Sequence, residues 1–183
     1  MSFSRRKLFQ YGFGGSLMLA LGGIGLSLQS TLLQQPPSPL SVLSQREYSI
    51  IYALANRFLP ENGRFPAAHK LKVAWNFDQT LATAHPSLQT EIKLLLALIE
   101  NGAAGLLLSG NHRPFTQCSA AEQDAILEAW RTSSLAFRRS AILSINRLCG
   151  AIYYSSPESF ELVGYGGPPR HLILAQSTMS DIQ

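Results

Sequence analysis

The chain has 183 residues, a net charge of +4 and 46% apolar side chains, enough for one domain with its own core. Three of its 15 Lys+Arg, Arg5, Arg6 and Lys7, stand in the first 40 residues, which hold no acid, so the remainder carries 12 against 11 Asp+Glu. The basic balance belongs to the N-terminus. The rest offers only Arg138-Arg139 with Arg131 and Arg147 nearby, short of the basic patch that nucleic acid requires, and no nucleic-acid partner is expected.

At the N-terminus, Ser4-Arg5-Arg6-Lys7-Leu8-Phe9 precedes an apolar run from Tyr11 to Leu28. Paired arginines followed by two apolar residues and a moderately apolar stretch read as a twin-arginine export signal, the address of proteins that leave the cytoplasm folded. The competing reading is a membrane anchor. Gly12, Gly14, Gly15, Gly22, Gly23 and Gly25 make the run a poor one, and its 18 residues barely reach across a bilayer. No small-x-small cleavage site follows. The signal segment is placed at 1–33. Residues 34–42, with Gln34-Gln35-Pro36-Pro37-Ser38-Pro39, form a proline-rich linker expected to stay extended and to pack no core. A helical domain is placed at 43–170 and a tail at 171–183.

Ser44-Gln45-Arg46-Glu47 has the form of a capping box, with Leu43 and Tyr48 placed to staple across it. Tyr48, Ile51, Tyr52, Ala55, Phe58 and Leu59 then repeat at helical spacing, predicting a helix over 45–59 that Pro60 ends. A second helix is predicted over 67–83, its face made by Leu71, Ala74, Trp75, Asp78, Leu81 and Ala82, with Asp78 the one polar intruder. Leu88, Ile92, Leu95, Leu96 and Ile99 give a third, whose end is blurred by Gly102 and Gly105. Residues 109–118 read as loop. Ser119-Ala120-Ala121-Glu122 is a second capping box, followed by Ile126, Leu127 and Trp130, then Phe137, Ala141, Ile145, Leu148, Cys149, Ile152 and Tyr153. Arg131-Thr132-Ser133-Ser134 contains weak helix formers, which favours a break there over one long helix. No period-2 alternation between hairpin turns occurs, so the fold class is all-α, with about five helices.

The residues suggest no catalyst. His69, His85, His112 and His171 are isolated, without a Cys-x-x-Cys or His-x-x-x-His pair. Gly164-Tyr165-Gly166-Gly167-Pro168-Pro169 leads into prolines rather than a helix, unlike a phosphate loop. No Gly-x-Ser-x-Gly elbow is present. Cys118 and Cys149 lie 31 residues apart, and in one continuous helix their Cα atoms would be about 45 Å apart, far beyond disulfide reach. Cys149 continues the apolar face of Ile145, Leu148 and Ile152, so a buried free thiol is the first expectation. Tyr153 continues that face too. Tyr154 falls off it, and its hydroxyl needs water or a partner. Arg138-Arg139 is either a solvated face or an ion-paired contact with an acidic surface. Gly164 to Pro169 is either an irregular turn or an arm laid on another protein.

Taken in order, several motifs resemble one family. The twin-arginine segment comes first, then a helix running from Leu43-Ser44-x-x-Glu47 to Arg57-Phe58-Leu59-Pro60. Phe115, Ala121-Glu122, Trp130, Ser133-Ser134 and Arg138-Arg139 follow, and after them Tyr153-Tyr154-Ser155-x-Pro157 and Gly164-Tyr165-Gly166-Gly167-Pro168. Over most of 1–170 this is similar to the gluconate 2-dehydrogenase subunit 3 family, the small subunits of bacterial flavoprotein dehydrogenases for gluconate, glucose, sorbitol and related substrates. The resemblance implies a chain with no catalytic residue, cofactor or metal of its own. Its partner would be a flavoprotein dehydrogenase large subunit holding FAD, and a multihaem cytochrome c subunit carrying haem is a further expected associate. It also implies use of the twin-arginine export machinery, a periplasmic location at the outer face of the cytoplasmic membrane, and a contact surface drawn from Arg138, Arg139, Tyr154, Gly164, Tyr165, Gly166, Gly167 and Pro168. With such a partner, a disulfide from Cys149 to the large subunit ranks second to the free thiol, and a bridge to Cys118 last. Arg64-Phe65-Pro66-Ala67-Ala68 departs from the Pro-Gly-Ala run expected of the family after the first helix, which leaves the substrate class open. A stand-alone exported binding protein, or a chaperone that releases its client, is the alternative.

Overall fold

The computed structural model describes residues 31–101 and 113–167. The twin-arginine pair Arg5 and Arg6, Pro168 and the tail 171–183 lie outside the described residues. Within them are six α-helices: α1 (Gln45–Phe58), α2 (Val73–Ala82), α3 (Pro86–Glu100), α4 (Ala120–Arg131), α5 (Ala136–Tyr154) and the single turn α6 (Pro157–Phe160). Two 3-10 turns, Phe115–Gln117 and Glu161–Val163, complete the described fold, which contains no strand among those residues.

α1 is the hub. It packs against α2, α3, α4 and α5, and α5 in turn packs against α2 and α4. Ile51 and Leu54 of α1, Val73 and Phe77 of α2, Leu96 of α3 and Cys149 of α5 are sealed from solvent, with Trp130, Phe115 and Ile145 beside them at 1% exposure. Each large aliphatic or aromatic side chain so buried contributes about 1.5–3 kcal/mol, which is why helices of 10 to 19 residues hold together without a disulfide.

The helix starts follow local chemistry. At α1 the Ser44 amide donates to Glu47 Oε2 at 2.7 Å while the Glu47 amide donates to Ser44 Oγ at 3.3 Å. Leu43 and Tyr48 bracket that box and are 5% and 4% exposed. Ser119 and Glu122 repeat the arrangement at α4. α3 begins two residues earlier than the apolar pattern suggests, because Pro86 has the φ of a first helical residue and His85 Nδ1 accepts the Ser87 amide at 3.2 Å. The break between α4 and α5 lies where weak helix formers place it, but Leu135 rather than a serine precedes α5, with its amide donating to Ser133 Oγ.

Two expectations need correction. The second helix starts at Val73, not at residue 67. Residues 67–72 are turns, with Lys70 and Lys72 amides bonded three residues back and Lys72 in the left-handed region at φ 52°. Tertiary ties hold this path: the Ala68 amide donates to Leu59 O at 3.1 Å, and the His69 amide to Asn56 Oδ1 at 3.2 Å. The face α2 buries is Val73, Ala74, Phe77, Asp78 and Leu81, while Ala82 is exposed.

The proline-rich segment is likewise no free linker. It is a strap bound along the helical body. The Leu32 amide donates to Thr116 Oγ1 at 3.1 Å and the Gln34 amide to Ser49 Oγ at 2.8 Å. Asp78, wholly buried, takes the strap's end: its Oδ2 accepts the Ser41 amide at 2.7 Å, and its Oδ1 accepts the Val42 and Leu43 amides at 3.0 and 2.7 Å. The buried Glu100 performs a similar service at the other end, accepting from both the amide and the hydroxyl of Thr116.

Candidate partner-binding surface

α5 has two unlike sides. Inward, Ile142, Ile145, Cys149, Ile152 and Tyr153 are buried, and the Tyr153 hydroxyl donates to Pro66 O at 2.7 Å, joining the end of α5 to the loop before α2. Burial raises the acid range of that hydroxyl, with the neighbouring Tyr154 adding to it. Cys149 is sealed, and desolvation pushes its thiol up to about 12. Cys118 and Cys149 form no disulfide with each other, and both are buried. The Cys149 sulfur therefore faces the core, as the first expectation has it, and not the surface that the second-ranked disulfide to the large subunit would need.

Outward, α5 presents Arg139, Leu143, Arg147 and Tyr154 along its length, and the helix contains no acidic residue. Arg138 is half-buried instead, on the side of Ile142, Ile145 and Cys149, with its Nε sealed from solvent. The four ion pairs among the described residues engage Arg57, Lys70, Arg113 and Arg131, none of them on α5. The Arg138 guanidinium lies 5.6 Å from the Trp130 ring centre, and the Trp130 ring meets Phe137 edge-on. Arg139 donates to the Ser133 carbonyl. The Arg138 guanidinium thus rests on an aromatic ring and one nitrogen of the Arg139 guanidinium on a carbonyl, while neither forms an ion pair among the described residues.

The far end of the same helix is apolar and exposed. Tyr154 is 47% exposed, and Val163 and Tyr165 are each 49% exposed. Tyr154 is braced edge-on by Tyr153 at 5.1 Å, and Tyr165 by Phe160 at 5.1 Å. The Gly-rich arm starts as a tight fold-back, with Gly164 at φ 70° and the Tyr165 amide donating to Phe160 O at 2.8 Å. Gly167, at φ 87°, passes over the Phe160 ring. Gly150 sits on α5 between Arg147 and Tyr154, and a Cβ there would meet nothing within 4 Å. A mid-helix glycine costs about 1 kcal/mol against alanine, and no neighbour among the described residues calls for it.

Sequence reasoning singled out the arginines, Tyr154 and the glycines but missed Trp130 as the platform under Arg138. The break between α4 and α5 leaves no fixed spacing that could have signalled it.

The family model described as gluconate 2-dehydrogenase subunit 3 matches residues 45–167, from the first residue of α1 to Gly167 in the arm, well over half the chain. The chain belongs to the gluconate 2-dehydrogenase subunit 3 family. No curated protein and no solved structure matches the chain. The gluconate 2-dehydrogenase subunit 3 match takes in every described helix and the outer face of α5, and it leaves out the strap. As a subunit 3, the chain is an accessory member of a dehydrogenase complex with a larger catalytic subunit. Among the described residues no group of three His, Cys, Asp or Glu is placed to hold a metal ion, and no helix is long and apolar enough to cross a membrane.

Proposed function

We propose that this chain is the non-catalytic small subunit of an FAD-dependent dehydrogenase complex of the gluconate, glucose or sorbitol type, and that it carries its flavoprotein partner through the twin-arginine route and stabilises it afterwards. FAD belongs to the large subunit, which must load it in the cytoplasm before export, so one signal on the small subunit serves two folded chains. The complex resides in the periplasm at the outer face of the cytoplasmic membrane, with a multihaem cytochrome c as a further associate. The observation that carries this reading is the family match over 45–167. The acid-free, partly apolar outer face of α5 supports it, since interface centres favour aromatics and arginine.

The large subunit is proposed to dock on Arg138, Arg139 and Tyr154 and on the arm Gly164, Tyr165, Gly166, Gly167 and Pro168. The test is export of both chains together. With Arg5 and Arg6 replaced by Lys, this chain and the flavoprotein should both stay in the cytoplasm; a flavoprotein that still reaches the periplasm refutes the shared signal. Co-purification from the periplasmic and membrane fractions, with a flavin spectrum in the large subunit alone, checks the division of labour.

A further inference from the structure

A cleft of about 250 Å³ opens between the strap and the loop leading into α2, and no residue of α5 lines it. Its walls include Pro37 of the strap, Tyr48 and Tyr52 of α1, and His69, Lys72 and Ala74 at the entrance to α2. Tyr48 is only 4% exposed, and its hydroxyl, which bonds to no described residue, is not a buried orphan but opens to the solvent of the cleft. Burial and the nearby Tyr52 hydroxyl both disfavour its ionised form, so it stands in the cleft as a neutral donor.

A second donor belongs to another residue that lines the same cleft, Ala74. Helix α2 starts without a side-chain cap, behind a Lys72 held in the left-handed region. The amides of Val73, Trp75 and Asn76 donate to Ala68 O, Lys72 O and Lys72 O, but that of Ala74, 3% exposed, has no acceptor among the described residues. Helix N-termini favour negative charge on such amides. The surrounding charge has the same sense. Lys70 is engaged by Glu61 at 2.8 Å, whereas among the described residues Lys72 takes part in no ion pair and no carboxylate lines the cleft. The Tyr52 ring, 6.1 Å from that of His69, and Pro37 supply flat apolar walls.

We infer that this cleft binds a carboxylate. Its oxygens take the Ala74 amide and the Tyr48 hydroxyl as donors and Lys72 as counter-charge, and the apolar body of the ligand lies along Tyr52 and Pro37. The carboxylate comes either from an acidic side chain of the large subunit or from a free organic acid, and the experiment separates these sources.

The purified, nitrogen-15-labelled full chain is titrated with sodium benzoate and, in parallel, with neutral benzamide. Benzoate should move the Ala74 amide resonance saturably, with benzamide at least about tenfold weaker, given the charge-assisted bonds it cannot make. Lys72→Gln and Tyr48→Phe should each weaken benzoate binding by about two- to fivefold. Both variants keep the packing, and unchanged resonances elsewhere report that each is folded. A non-saturating shift, an equal response to benzamide, or two variants that bind as wild type would overturn the proposal. The titration is then repeated on the assembled complex. Loss of the benzoate response there, with Lys72→Gln weakening assembly, assigns the carboxylate to the large subunit; a retained response assigns it to a free acid. The first titration needs no partner, so its failure and failure of the accessory-subunit reading are separately visible.

Discussion

Replacing Asp78 by Asn probes the strap with the least change of shape. In the native protein Oδ1 serves Val42 and Leu43, and Oδ2 serves Ser41 and the Gln79 side chain, at 2.7 to 3.0 Å. An asparagine keeps one oxygen for the Val42 and Leu43 amides but turns an NH2 group toward two other donors. Hydrogen bonds to a charged acceptor contribute about 1.5–3 kcal/mol each, and the exposed Ser41 amide regains water when its bond is lost. The expected loss is therefore about 2–3 kcal/mol for Asp78→Asn. Asp78→Ala, which also strands the amide of the buried Leu43, should lose about 3–5 kcal/mol. Urea unfolding followed by circular dichroism measures both, and limited proteolysis should cut the variants first within 34–43. A strap that remains protected, with Asp78→Asn within about 0.5 kcal/mol of wild type, would show that the carboxylate is not what holds it.

Three further outcomes are expected. Cys149 should resist iodoacetamide at pH 8 in the native chain and react on unfolding, because a thiol pushed up to about 12 is only about one part in ten thousand thiolate there; a reductant-sensitive band to the large subunit, absent in Cys149→Ser, would contradict its burial. Arg139→Glu should weaken large-subunit binding about tenfold and leave the helical spectrum unchanged, as surface-plasmon resonance and circular dichroism would report; unchanged affinity would remove this face of α5 from the interface. Gly150→Ala should raise the stability of the isolated chain by about 0.5–1 kcal/mol in urea, since the helix has room for the methyl group, and any loss of affinity it causes would mark a close backbone approach by the partner.

What the sequence made legible was local. Ser44 with Glu47 and Ser119 with Glu122 carry their helix starts within four residues, and both starts lie where that pattern puts them. The weak helix formers at 131–134 likewise mark a real division between α4 and α5. The start of α2 was hidden because alanines at 67 and 68 favour helix, and what opposes them is the tie from Ala68 to Leu59 O across the loop. The strap was hidden for a similar reason. Proline composition says that a segment forms no helix but not whether a distant carboxylate receives its amides. Asp78 on an otherwise apolar face was the visible clue, since a buried acid requires donors. At α5 the residue types of the candidate surface were readable, but which arginine rests on Trp130 depended on how the chain turns after Thr132.

The attachments of the strap also set an order of yielding under load. A pull directed from the N-terminus meets the bond at Leu32 first, then those at Gln34 and Gln35, then that from Trp75 to Pro39 O, and only afterwards the three amides gathered by Asp78. The earlier bonds fail one after another, like the teeth of a zip, and the last three share the tension. Traction on the leading segment is thus spent on peeling the strap before the helices are drawn apart, and Asp78 is the point at which towing the molecule and unravelling it part company.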